Sequence, residues 1–179
     1  MWKKIALGIA ALILVFVAVA AVQPKDFQIM RSVTIDAPAS LVFPLVNNLQ
    51  AWDKWSPFLD LDPNMKRVTE GPGQGIGASQ SWVSDKAGEG KMTIVQSETD
   101  RLIALNTEFF KPWKATNRTE FTFESVGNST KVTWAMLGER NFFMKAFGLV
   151  CNMDKMLGAD FEKGLGRMKA LAETAAKAQ

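Results

Sequence analysis

The stretch NFFMKAFGLVCNMDKMLGADFEKGLGRMKALAETAA, Asn141–Ala176, is long, free of proline and apolar on one side. Turned at about 100° per residue, Phe147, Val150, Leu157, Phe161, Leu165, Met168 and Ala172 fall on one stripe. Lys155, Glu162, Lys163, Arg167, Lys169 and Glu173 fall elsewhere, as a solvated flank requires. This spacing predicts one long amphipathic helix. Two features depart from a plain core helix. Asp154 stands inside the apolar stripe, where an unpaired charge is costly. Glycines 148, 158, 164 and 166 each cost roughly 1 kcal/mol against alanine in a helix. Gly158 and Gly164 flank the apolar face, which points to close approach by another surface.

Upstream lies the surface such a helix needs. Phe27, Ile29, Val33 and Ile35 alternate with polar residues as a half-buried strand, ended by Asp36-Ala37-Pro38. Ala39–Leu49 reads as a short helix in which Pro44 forces a kink or a late start. Trp52–Phe58 is a second short turn or helix. Strands then follow at Met65–Thr69, Ala78–Val83, Lys91–Ser97, Arg101–Phe110, Lys114–Glu124 and Lys131–Gly138, separated by Gly-, Pro- and Asn-rich turns. The alternate glycines of Gly71–Gly77 lead into a strand, whereas a phosphate loop opens a helix, so they read as a flexible connection. Consecutive strands joined by short turns make an antiparallel sheet. The expected class is α+β: about seven strands curved around the long helix.

Ahead of this domain, Lys3-Lys4 precede an uncharged apolar run, Ile5–Val22, of about eighteen residues, near the minimum that spans a bilayer. It reads as a transmembrane anchor over residues 1–23, followed by a linker at 24–27 and the domain at 28–176. Lys3 and Lys4 mark the cytoplasmic side and place the domain outside the cytoplasm. A cleaved signal peptide, with Ala18-Val19-Ala20 as its processing site, is the competing reading.

Composition narrows the chemistry. The 179 residues contain no His and one Cys, which excludes a Ser–His–Asp triad, a Cys–His pair, a His metal site and an internal disulfide. Acid–base chemistry must fall to Asp, Glu or Lys with water, and no metal or cofactor is expected. A net charge of +3 with interleaved signs gives no nucleic-acid footprint.

Several local patterns together resemble a known group. They are Ile35-Asp36-Ala37-Pro38 with Val42-Phe43, Trp52-Asp53-Lys54-Trp55-Ser56-Pro57, Gly75-Ile76-Gly77-Ala78 with Trp82, Thr130-Lys131-Val132-Thr133-Trp134, and Asp160–Leu165 before Leu171. In this order they resemble the SRPBCC or START-like superfamily, in its polyketide cyclase/dehydrase-like branch, over Phe27–Ala176. The resemblance implies a helix-grip fold with an apolar cavity between the long helix and the sheet. Members bind lipids, sterols and polyketides; some cyclise their ligand, others carry or sense it. Pro44 interrupts the short helix, and the polar pocket residues of the cyclases, often including His, have no His counterpart here.

The candidate cavity residues are Trp55, Trp82, Asn117, Trp134, Asp154, Leu157, Phe161 and Leu165. The aromatics offer large apolar walls with few rotamers to freeze, or simply fill the core. Asp154 is either a ligand-facing carboxyl, the one catalytic candidate, or an ion-paired residue or, if the helix breaks at Asn152-Met153, the cap of its second segment. The reading favoured by anchor and grip helix is a membrane-tethered module binding a hydrophobic small molecule or lipid. A cyclase- or dehydratase-like enzyme using Asp or Glu and water is the alternative, and a ligand-free envelope interaction module is a third.

Overall fold

The computed structural model describes residues 2–178. Helix α1 (Trp2–Val22) precedes strand β1 (Asp26–Ile35). Helix α2 (Ala39–Asn47) leads into two 3-10 turns, Leu49–Lys54 and Pro57–Asp60. Strands β2 (Lys66–Glu70), β3 (Ser79–Ser84), β4 (Gly88–Glu98), β5 (Leu102–Lys111), β6 (Ala115–Val126) and β7 (Ser129–Glu139) follow, then helices α3 (Phe142–Val150) and α4 (Met153–Lys177). The sheet has seven antiparallel strands in the order β1-β7-β6-β5-β4-β3-β2. The α+β helix-grip architecture expected from the sequence is the one observed.

The inward face follows from alternation. Ile29, Ile35, Ile103, Leu105, Phe121, Phe123, Val132 and Trp134 are buried, and α4 sets Phe161, Leu165, Met168 and Ala172 against them. Helix α4 lies over the β1 and β7 side of the sheet, which leaves the β2–β5 half of the concave face to be closed by the 3-10 turns.

Those turns are held by a specific device. The last carbonyls of a helix lack partners inside it. In α2 the Leu45 carbonyl accepts from Trp55 Nε1 at 2.8 Å and the Val46 carbonyl from Trp52 Nε1 at 2.9 Å. The two tryptophans thus end α2 and dock the next segment in one move. Pro44 stands inside α2 without ending it; the i−4 carbonyl it leaves free belongs to Ser40, which water reaches.

The C-terminal stretch is not one helix. It breaks at Cys151-Asn152, where Asn152 Oδ1 accepts from the Lys155 N–H at 2.9 Å and starts α4 afresh; Asn141 Oδ1 caps α3 in the same way on Met144 at 2.8 Å. Asparagine competes for backbone donors better than it continues a helix. The consequence is a correction to the expected stripe. Phe147 is 41% exposed and Val150 78% exposed, because α3 packs against α1 and not into the sheet.

Candidate functional site

Between α4, the 3-10 turns and the β2–β5 half of the sheet lies a cavity of about 330 Å³, at the lower end of the ~300–1,000 Å³ usual for small-molecule sites. Each surrounding element contributes a part. Trp52, Ser56, Phe58 and Leu61 come from the turn segment, Arg67 from β2, Gln80 and Trp82 from β3, and Met92 from β4. Thr107 and Phe109 come from β5, Thr119 from β6, Trp134 and Met136 from β7, and Leu157 and Asp160 from α4.

The wall has an aromatic end and a polar end. Trp134 is 1% exposed and stacks on Phe161, ring centroids 4.0 Å apart and planes 6° from parallel. Phe121 also stacks on the indole, at 4.9 Å, and Trp55 meets it edge-on at 5.6 Å. Such contacts add about 0.5–1.5 kcal/mol each beyond area burial. Opposite, Thr107 and Thr119 pair their hydroxyls at 3.1 Å in a buried position. Trp82 lies over Gly90, where a Cβ would overlap its ring, and Trp82 meets Phe109 edge-on at 5.7 Å. The sequence pattern around Gly90 reads as a turn; the structure puts it inside β4, beside a register shift at Glu89/Gly90, with its bare backbone making room for the indole.

One polar atom in this wall has no protein partner. Trp134 Nε1 is buried without an acceptor, whereas Trp52 and Trp55 both donate to α2. A buried N–H left unpaired costs about 1–3 kcal/mol. The turn segment is tied to β3 as well: Ser84 Oγ donates to Asp62 at 2.7 Å, and that bond, with the Asn64 N–H, holds the Asp62 carboxyl below its usual range.

Of the residues singled out from the sequence, Trp82, Trp134 and Leu157 line the cavity. Trp55, Phe161 and Leu165 are fully buried behind it as core. Asn117 faces inward further along β6, its Nδ2 3.6 Å from Met136 Sδ, and its Oδ1 is buried without a donor. Asp154 lies outside the wall. Its carboxylate accepts from Arg31 Nη1 at 3.2 Å and Nη2 at 3.1 Å, and this guanidinium holds its pKa below the usual carboxylate range. Asp154 is therefore an ion-paired residue in the first turn of α4, and the cap of that helix is Asn152. Sequence reasoning passed over Phe58, Met92, Thr107, Phe109 and Asp160. On strands their alternation is that of any inward-facing residue, and no signal in the chain separates a lining residue from a filling one.

A larger open depression, about 730 Å³, lies at the β1–β7–β6–β5 part of the sheet. Gln28, Leu137, Arg118 and Asn106 form one row across it by register. That row faces solvent, while Phe27 and the buried Asn117 reach the depression from the other face at the end of the sheet, so it is an open edge and not an enclosed site. The less open, aromatic-walled cavity is the better candidate.

Comparison with known proteins gives the same fold. The chain matches the family model described as polyketide cyclase / dehydrase and lipid transport over residues 26–173. No curated protein matches. Among solved structures, CV1439 from Chromobacterium violaceum is similar at 12% identity and TM-score 0.59, covering 84% of this chain and 99% of that one. Ms6760 from Mycobacterium smegmatis is similar at 11% identity and TM-score 0.57, covering 83% and 92%. DynU16, from the dynemicin biosynthetic locus, is similar at 14% identity and TM-score 0.58, covering 83% of this chain and 48% of that one. At these identities the likeness speaks for the fold alone. The family match spans most of the chain and nearly all of the sheet and α4, and on that ground the protein belongs to the polyketide cyclase/dehydrase and lipid transport family.

Proposed function

We propose that this protein is a membrane-anchored, extracytoplasmic module that binds a hydrophobic small molecule or a lipid chain in the cavity between α4 and the sheet. The observation that carries the reading is the cavity itself: aromatic and aliphatic walls around about 330 Å³, with one buried, unpartnered donor at Trp134. Such a site favours a largely apolar body, with an acceptor that can reach the Trp134 N–H. Helix α1 supports the anchor: its 21 residues are apolar enough to cross a bilayer, and Ala20 alone among them is buried. Lys3 and Lys4 ahead of the apolar run support a start in the cytoplasm, with the domain on the other side.

The test is photo-crosslinking of the full chain in lipid nanodiscs with a diazirine fatty acid. Adducts at cavity residues such as Leu157, Phe109 and Trp82, lost when Leu157→Trp fills the space, are the expected result. Adducts confined to α1 would overturn the reading.

One observation favours a second reading, a cyclase- or dehydratase-like reaction with bound water. Asp160 is the single carboxylate in the cavity wall, so acid–base chemistry falls to it and not to Asp154. Turnover of a polyketide-like substrate that disappears in Asp160→Asn would establish it; equal turnover in that variant would remove Asp160 from the mechanism.

A further inference from the structure

Helix α3 exposes Phe142, Phe143, Phe147, Leu149 and Val150 within nine residues and buries only Met144. The β5–β6 turn beside it, Phe110-Lys111-Pro112-Trp113-Lys114, exposes Phe110 and Trp113, and Trp113 meets Phe143 with ring centroids 5.4 Å apart. A contiguous exposed apolar patch of this kind marks an interaction surface.

We propose that α3 and the β5–β6 turn form a docking surface that lies in the outer boundary of the bilayer, beside the point where α1 leaves it. The proposal rests on the anchor reading above. Its occupant follows from continuity with α1. That helix has 21 residues; at 1.5 Å each they span about 31 Å, against a hydrocarbon core of about 30 Å. All of α1 is needed to cross, so an element of the domain that packs against it meets it at the lipid boundary. Helix α3 is that element. Trp113 then sits at the depth where Trp concentrates in membrane proteins, and the phenylalanines reach into the boundary of the acyl chains as on the apolar face of an interfacial helix.

Charge agrees. Neither α3 nor the turn contains an acid, while they carry Lys111, Lys114 and Lys145. Lys111 pairs with Glu89 at 2.7 Å; Lys114 and Lys145 form no ion pair among the described residues. Free cations around an apolar face suit an anionic lipid surface.

The experiment uses the full chain with Cys151→Ser, carrying a bimane label at Phe147→Cys, Leu12→Cys or Asn128→Cys. It is reconstituted in phosphatidylcholine–phosphatidylglycerol vesicles with lipids brominated either near the headgroup or near the chain ends. The expected result is loss of emission at position 147 with the shallow bromine and none at position 128 in the β6–β7 turn. Quenching at position 12 without quenching at 147 would leave the anchor standing and overturn the docking surface. Silence at both positions would remove both. A label at 147 shielded from aqueous iodide yet untouched by brominated lipid would mean that a protein, such as a second copy, covers α3, and would also overturn the proposal. Quenching at 147 alone would make α3 the membrane contact and remove the spanning anchor.

Discussion

Arg31 of β1 lies across α4 at Gly158, whose missing Cβ leaves the space that the guanidinium occupies. All five of its N–H donors are used: Nε to Glu162, Nη1 to the Met30 carbonyl and Asp154, Nη2 to the Asp154 carbonyl and carboxylate. A strand and a helix are thus registered by one arginine and one glycine.

The two positions should be strongly coupled. In the natural chain Gly158→Ala displaces Arg31 and loses its bonds. With Arg31→Ala already in place, the three closest contacts to the new Cβ are gone, so the same change should cost far less and can gain up to about 1 kcal/mol through helix propensity. Urea unfolding of the four proteins of the cycle checks this; additive effects would mean that the arginine is not held at the glycine.

Two glycines of α4 only two residues apart should respond with opposite sign. A Cβ at Gly164 would stand 2.9 Å from Trp134 Cζ3 and 3.0 Å from Pro57 Cδ, while one at Gly166 meets nothing within 4 Å. Overpacking costs about 1–3 kcal/mol and helix propensity returns about 1, so Gly164→Ala should lower stability. Gly166→Ala should raise it by about 0.5–1 kcal/mol. Thermal denaturation of both variants gives the comparison.

Asp60 ties the second 3-10 turn to α4 through Arg167 at 2.8 Å and Lys163 at 2.7 Å. The hydrogen bond from Arg167 and then that from Lys163 push its pKa from 3.8 down to about 2. The folded value lies below the unfolded one, so this contribution is complete above about pH 4 and is lost as pH falls toward 2. The Tm difference between the natural chain and Asp60→Asn should therefore be constant from pH 7 to about 4 and shrink below it. A difference that persists undiminished at pH 2 would show that the pairs do not act through ionisation.

Trp134→Phe should separate ligand classes. It removes the unpartnered indole N–H while keeping an aromatic ring against Phe161. Loss of one neutral hydrogen bond is worth about 0.5–1.5 kcal/mol, or about two- to tenfold in affinity. Carbonyl-bearing ligands should weaken by that factor relative to hydrocarbons of the same shape, measured by competition with a fluorescent probe. Equal weakening of both would mean that the N–H does not meet the ligand.

The sheet was legible because strand alternation and turn glycines are local signals, and the family patterns sit on them. The break between α3 and α4 was legible only as the alternative in which Asp154 caps a second segment, because Phe147 and Val150 continue the helical stripe of Leu157 and Phe161 across it. The capping signal of Asn152 was present but is short, and periodicity outvoted it. The ion pairing of Asp154 was legible as an alternative, but its partner Arg31 was not singled out. It occupies an inward position of β1 as Asp154 does of the α4 stripe, and two charges on facing apolar surfaces imply each other. The cavity was not legible, since Thr107, Phe109 and Met92 alternate as filling residues do. Empty space depends on how α4 and the 3-10 turns stand off the sheet, and no single strand encodes that.

Trp134 is at once the stacking partner of Phe161, the side chain closest over Gly164, and a wall of the cavity. Occupancy and folding therefore share a side chain. A ligand that packs against this indole binds the native state alone and raises its unfolding free energy by mass action, about 2.7 kcal/mol at a hundredfold excess over Kd. A rise in melting temperature thus becomes a binding assay for this protein, and it works on a mixture of candidate molecules as well as on a pure one.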